Sequence, residues 1–132
     1  MAALILLDAY PVVAYLVGEP AADEVRGVLA QGEATATSLN IAEAVEVACR
    51  VYGASEARIR GAVEMLLAFH LLAVVSPDAE AAFRAAELRI AHYRRRKRPL
   101  SLADCFLLAA AGPEDRIATA DPAIAEVARA EG

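Results

Sequence analysis

Leu4-Ile5-Leu6-Leu7-Asp8 is a run of four apolar residues closed abruptly by an acid. A strand with one face in water alternates apolar and polar residues. An unbroken apolar run suits a strand buried on both faces, which needs helices above and below the sheet. Strand candidates of similar kind follow at Ala34–Thr37, Leu72–Val75 and Arg116–Thr119, separated by helical stretches. Short strands alternating with helices predict a parallel sheet. The expected fold is a three-layer α/β/α domain with about four strands, formed by residues 1–132 as a single unit.

The intervening segments read as helices. Val12, Tyr15 and Leu16 share one side of a short helix that Gly18 and Pro20 stop, and Ala21–Ala30 forms a second. Ile41, Ala44, Val45, Ala48 and Tyr52 repeat at helical spacing, with Gly53 as a C-terminal cap. Ser55 opens another helix, whose apolar stripe carries His70 and so predicts a buried or partly buried histidine. Ser76-Pro77 reads as an N-cap followed by proline at the first helical position. From there Ala79, Phe83, Ala86, Ile90 and Tyr93 form a long apolar stripe running into Arg94-Arg95-Arg96-Lys97-Arg98 and stopping before Pro99. Ser101 starts a further helix ending at Gly112-Pro113, and Asp121-Pro122 begins the last.

Composition bounds the class. Hydrophobic residues make up 58% of the chain and mean hydropathy is +0.41, much of it from alanine. The longest uncharged run, Met65–Pro77, spans 13 residues, short of the roughly 18 needed to cross a bilayer. The N-terminus has no basic region before its apolar stretch, which Asp8 interrupts. The chain therefore reads as soluble and cytoplasmic, with no membrane partner. Cys49 and Cys105 lack metal-type spacing and are expected as buried free thiols. A net charge of −5 excludes a nucleic-acid binder that works through its overall field.

In open parallel α/β folds, functional groups gather beyond the carboxyl ends of the strands. Asp8 lies just past the first strand and Asp121 just past the last, while Glu43 and Asp104 stand near the starts of helices. Clustered without lysine or arginine partners, four carboxylates would repel strongly unless a hard divalent cation such as Mg²⁺ or Mn²⁺ joined them. Phosphodiester hydrolysis is the matching chemistry. Each acid also has an ordinary reading. Asp8 and Asp121 suit N-caps, and Asn40-Ile-Ala-Glu43 and Ser101-Leu-Ala-Asp104 both have capping-box form. The ordered set carries the inference, not any one member.

Along nearly its whole length the sequence resembles the PIN-domain ribonucleases, and among them the VapC-type toxins of VapBC toxin–antitoxin pairs. The marks are Leu6-Leu7-Asp8, Asn40-Ile-Ala-Glu43, Leu102-Ala-Asp104-Cys105 and Thr119-Ala-Asp121, in that order. The resemblance implies a metal-dependent endoribonuclease in which Asp8, Glu43, Asp104 and Asp121 hold Mg²⁺ or Mn²⁺ and cleave RNA. It implies accessory roles for Asn40 and Thr119, a cognate VapB-type antitoxin, and a homodimer. Three departures stand out. Ala9 replaces a frequent Ser or Thr, Ile124 replaces a frequent Phe, and no apolar strand follows the last helix. None removes a carboxylate.

Other residues carry two readings each. Arg94, Arg95, Arg96, Lys97 and Arg98 either contact an RNA backbone or form a solvated helix end complementing its dipole. His92 reads as a surface residue, Tyr10 and Tyr15 as packing residues and Glu46 as a surface acid. Competing functions are weaker. A PIN-like module used only for recognition would not need the full acidic set. A haloacid-dehalogenase-like phosphatase should carry a second acid where Tyr10 stands. A signalling receiver should carry paired early acids and a late lysine, yet no lysine follows Lys97.

Overall fold

The computed structural model describes residues 3–132. Four parallel strands, β1 (Ile5–Leu7), β2 (Ala34–Thr37), β3 (Ala73–Val75) and β4 (Arg116–Ala118), form one sheet in the order β3-β2-β1-β4. Seven helices accompany them: α1 (Ala9–Val17), α2 (Ala22–Ala30), α3 (Ser38–Arg50), α4 (Glu56–Ala68), α5 (Ala79–His92), α6 (Leu102–Ala110) and α7 (Pro122–Glu131).

Strand β1 shows why three layers form. Successive side chains of a strand point to opposite faces. Ile5 and Leu7 enter a core with α1, α2, α3 and α4, whereas Leu6 enters a separate core with α5, α6 and α7. Both faces of β1 are therefore dry, as its unbroken apolar run requires. Burial on both faces holds for β1 and β2, the two central strands, but not for the edges. The three residues of β3 are exposed, contrary to the expectation that every strand would be covered.

The alternation of strand and helix follows the expected plan, and several boundaries differ for local reasons. Helix α3 starts at Ser38, two residues before Asn40, the supposed cap of Glu43's helix. Thr37, the last residue of β2, is the true N-cap and accepts a hydrogen bond from the Asn40 amide. Helix α5 is capped by Asp78, which accepts from the Ala81 amide, so Ser76 and Pro77 belong to the preceding connection. Its buried face is also not the expected one. Ala85 and Leu88 are buried, while Phe83 and Ile90 are 72% and 82% exposed. Ala85 lets α5 approach α6 closely, and that contact selects the face.

The basic run is no helix end. Helix α5 stops at His92, Tyr93 turns extended, and Arg94 and Arg98 exchange two backbone hydrogen bonds of 3.0 and 2.8 Å. Arg95, Arg96 and Lys97 form the exposed tip of this closed turn. Arg89 draws the chain back, its guanidinium 4.3 Å from the Tyr93 ring centroid and donating to the Leu100 carbonyl.

Both histidines depart from their expected settings. His70 lies beyond the end of α4, exposed and at φ 56°, where the chain turns towards β3. His92 is tucked in, its side chain only 14% exposed between Glu131 at 2.6 Å and Arg98 at 3.3 Å. Cys105 is buried and Cys49 half-buried, and both are free thiols. No described helix is long and apolar enough to cross a membrane.

Candidate metal centre

All four strands run the same way, so their carboxyl ends share one edge. Chain order leaves β1 towards β2 on one side and reaches β4 on the other, so the point between β1 and β4 is the topological switch where α/β sheets open a crevice. Asp8 and Thr119 stand there. The Asp8 amide donates to the Ala118 carbonyl at 3.0 Å, and the Thr119 hydroxyl donates to Asp8 Oδ2 at 2.7 Å. The same hydroxyl accepts from the Asp121 amide at 3.0 Å. One threonine thus fixes the first acid and the last.

Three of the acids sit at helix N-termini, two as caps and one in a capping box. Asp8 Oδ1 accepts from the Ala9 amide at the start of α1, and Asp121 Oδ1 accepts from the Ala123 amide at the start of α7. Asp104 forms a complete capping box with Ser101, its Oδ2 accepting from the Ser101 amide at 2.9 Å. Helix N-termini carry partial positive charge, which offsets part of the repulsion among acids gathered there. Glu43 differs. It projects from the second turn of α3, exposed, and makes no hydrogen bond among the described residues.

The packing of α3 against α6 brings Glu43 to the others. An open cleft of about 440 Å³ is lined by Asp8, Glu43, Asp104 and Asp121, together with Tyr10 and Ser101. Every acid expected from the sequence therefore lines the same cleft. Tyr10, expected as a packing residue, is 43% exposed at its wall. Its position in the first turn after Asp8 was the available signal. Asn40 does not line the cleft. It is fully buried, accepts from the Thr37 hydroxyl, and leaves its Nδ2 without a partner.

The electrostatics are those of crowded acids. Partial desolvation at the cleft wall, then repulsion from Asp104, Asp8 and Glu46, holds the Glu43 carboxyl above the ordinary range. Burial also raises Asp104, with repulsion from Asp8 and Asp121 adding to it and the Ser101 hydrogen bonds opposing. No salt bridge among the described residues involves any of the four. An oxygen-only, uncompensated donor set suits a hard divalent cation. As they stand, no three acids among the described residues group tightly enough to ligate one ion. Side-chain rotation would have to close that spacing, and Glu43 is the acid that no hydrogen bond holds back.

A comparison with protein-family models matches residues 5–130 to the PIN domain. The chain belongs to the PIN-domain family. No curated protein matches it. PIN domains are typically nucleases that act on nucleic acid and generally use divalent metal ions, and the match spans all four strands and the cleft.

Two predictions arise from this PIN-domain geometry. Without metal, raised carboxyl pKa values mean that the native state binds protons more readily than the unfolded chain. Stability contributed by Glu43 and Asp104 therefore falls as pH rises from their unfolded values through their raised folded ones. In chelator-treated protein, Glu43→Gln should raise the melting temperature at pH 7 relative to wild type, and the gap should close as pH falls towards 4. The second concerns Thr119. Thr119→Val removes a donor to Asp8 and an acceptor for the Asp121 amide. Loss of a hydrogen bond that orients a metal-binding group typically costs about 10–100-fold. That loss is expected in kcat for nuclease activity, with Thr119→Ser restoring most of it.

Proposed function

We propose that this PIN domain is a Mg²⁺- or Mn²⁺-dependent endoribonuclease and the toxin of a VapBC-type toxin–antitoxin pair. The observation that carries the nuclease reading is the cleft itself: four acids from four separate parts of the chain line one opening at the carboxyl edge of the sheet. The toxin assignment rests on the ordered sequence resemblance. In this reading Asp8, Asp104, Glu43 and Asp121 hold the cation. A bound divalent ion supplies an activated water and charge to stabilise the leaving oxygen. Glu43, which no structural hydrogen bond restrains, would be free to accept the water's proton. Thr119 holds Asp8 and Asp121 in position. Asn40 acts indirectly, by fixing Thr37 and so the start of the helix that carries Glu43.

The substrate is a polyanion approaching an acidic protein, so phosphates beyond the scissile one need cations from elsewhere. The closed turn Arg94–Arg98 provides them close in sequence to Ser101 and Asp104. Arg95, Arg96 and Lys97 are its exposed tip, and Arg98 anchors its base near His92 and Glu126. Phosphate contacts give affinity that falls with salt. Replacing Arg95, Arg96 and Lys97 by Ala should weaken RNA binding and reduce the log–log salt slope by about 2 for a single strand, if all three contact phosphates. An unchanged slope would return the tip to a solvated turn.

The direct test is cleavage of RNA by purified protein with Mg²⁺ or Mn²⁺ and its loss with chelator. The toxin assignment is tested by growth arrest on expression, relieved by co-expressing the reading frame beside the gene. Metal-independent cleavage refutes the catalytic reading. Growth that is unaffected by an active nuclease refutes the toxin reading alone.

A further inference from the structure

Beside the acidic cleft lies a second cavity, of about 360 Å³, that no role described so far uses. Tyr10 and Ala120 line both spaces, so Tyr10 stands in the wall between them. The second pocket is mostly apolar. Val25 and Val28 of α2 contribute to it, Thr119 lies at the β4 end, and Glu24 supplies a carboxylate. A half-exposed aromatic ring, an apolar floor and one acid, next to a place where phosphate would react, form a combination with a specific chemical complement. That complement is a nucleobase.

We propose that this pocket receives the base of a nucleotide adjoining the scissile phosphate, and that it favours guanine. The proposal rests on the ribonuclease reading for its substrate, but its chemistry comes from the pocket. Aromatic rings stack on any base, because every base has a π-face. Selectivity must therefore come from the edge. A carboxylate only accepts hydrogen bonds, and guanine is the base with two adjacent donors, its ring N1–H and its 2-amino group, on one edge. Adenine and cytosine each offer an amino group beside an unprotonated ring nitrogen, whose lone pair faces the carboxylate. Uracil offers one N–H between two carbonyls. Glu24 is exposed on α2 and makes no hydrogen bond among the described residues, so its oxygens are available to such an edge. Adjacency to the acidic cleft, across Tyr10 and Ala120, decides between a base and a protein side chain as occupant. A base entering here remains attached to the phosphodiester that the acids address.

The test has a binding arm and a cleavage arm. In the first, guanosine, inosine and uridine 5′-monophosphates are titrated into the protein, following the amide resonances of Tyr10, Val28 and Asp104. The expected result is that Tyr10 and Val28 shift most with the guanine nucleotide, less with inosine, which lacks the 2-amino group, and least with uridine. In the second arm, a single guanosine is walked along a uridine oligonucleotide and then replaced by inosine. A kcat/KM about tenfold higher for guanosine at one position is expected from one hydrogen bond to a charged group. Glu24→Gln should abolish the difference between guanosine and inosine. Tyr10→Ala should weaken every base alike, by roughly tenfold or more, and Tyr10→Phe should not. Both positions are exposed, and unchanged melting temperatures will show that the variants fold. Cleavage that is indifferent to the base leaves the nuclease standing and overturns the pocket. Selective nucleotide binding without RNA cleavage does the reverse. Shifts that are equal for all three nucleotides, or absent from Tyr10 and Val28, overturn the pocket directly.

Discussion

Asp104→Asn and Glu43→Gln are expected to reduce metal-dependent RNA cleavage by about 10²–10⁴-fold, the usual contribution of a positioned acid or base, while the fold survives. Survival is expected for different reasons at the two sites. Ser101 remains the N-cap of α6, and the amide oxygen of Asn at position 104 can still accept from the Ser101 amide, so Asp104→Asn leaves the start of α6 in place. Glu43 makes no hydrogen bond among the described residues, so Glu43→Gln removes charge and nothing structural. Asp8→Asn should match Asp104→Asn in severity. Asp121→Asn is expected to retain more activity, because that acid stands at the periphery of the set: Glu43 feels the charges of Asp104 and Asp8 but not that of Asp121. Circular dichroism and single-turnover cleavage on the same preparations check both halves. Wild-type cleavage by Asp104→Asn, with contaminating nuclease excluded, would remove Asp104 from the centre.

The second large effect is on stability. A cation that binds only the native state adds about 2.7 kcal/mol at a hundred times its dissociation constant. For a chain of 132 residues that corresponds to a rise in melting temperature on the order of 10 °C. Mn²⁺ or Mg²⁺ should produce such a rise in chelator-stripped protein, and Asp8→Asn or Asp104→Asn should shrink it to a small fraction. The effect of lost repulsion runs the other way, since these variants should be slightly more stable than wild type before metal is added. A melting temperature that neither cation moves would count against the centre whatever the activity.

Much of this was legible because single residues were forced to act locally. Leu4–Leu7 is apolar without interruption, and only a strand between two helical layers suits it. Ser101 and Asp104 sit three apart, and both arms of their capping box form. Asn40 and Glu43 have the same spacing, yet that box does not form. Strand β2 passes into α3 without a loop, so Thr37 reaches the free amides first and Asn40 is carried inside. Helix α5 misled for another reason. Rich in alanine, it offers two apolar faces, one through Phe83, Ala86 and Ile90 and one through Ala85 and Leu88. Periodicity cannot choose between them, and contact with α6 does. The meeting of Glu43 with the other three acids also depends on tertiary packing, which no spacing encodes. The turn at Arg94–Arg98 was hidden because its closure uses backbone groups only.

Asp8 and Asp121 cap helices, Asp104 completes the capping box of a third, and Glu43 has no such role. In a lineage that abandoned chemistry, the four acids would not decay together. Loss of an N-cap costs about 1 kcal/mol, a penalty felt in every folded copy regardless of activity, so Asp8 and Asp121 would be retained or exchanged for Asn, Ser or Thr, and Asp104 for another acceptor that serves the capping box. Glu43 would drift freely, since nothing but function holds it. A descendant with three aspartates and no glutamate would still look like a nuclease to a pattern of acids. The glutamate is therefore the residue to inspect when a chain of this fold is asked whether it is still an enzyme, and here it is present.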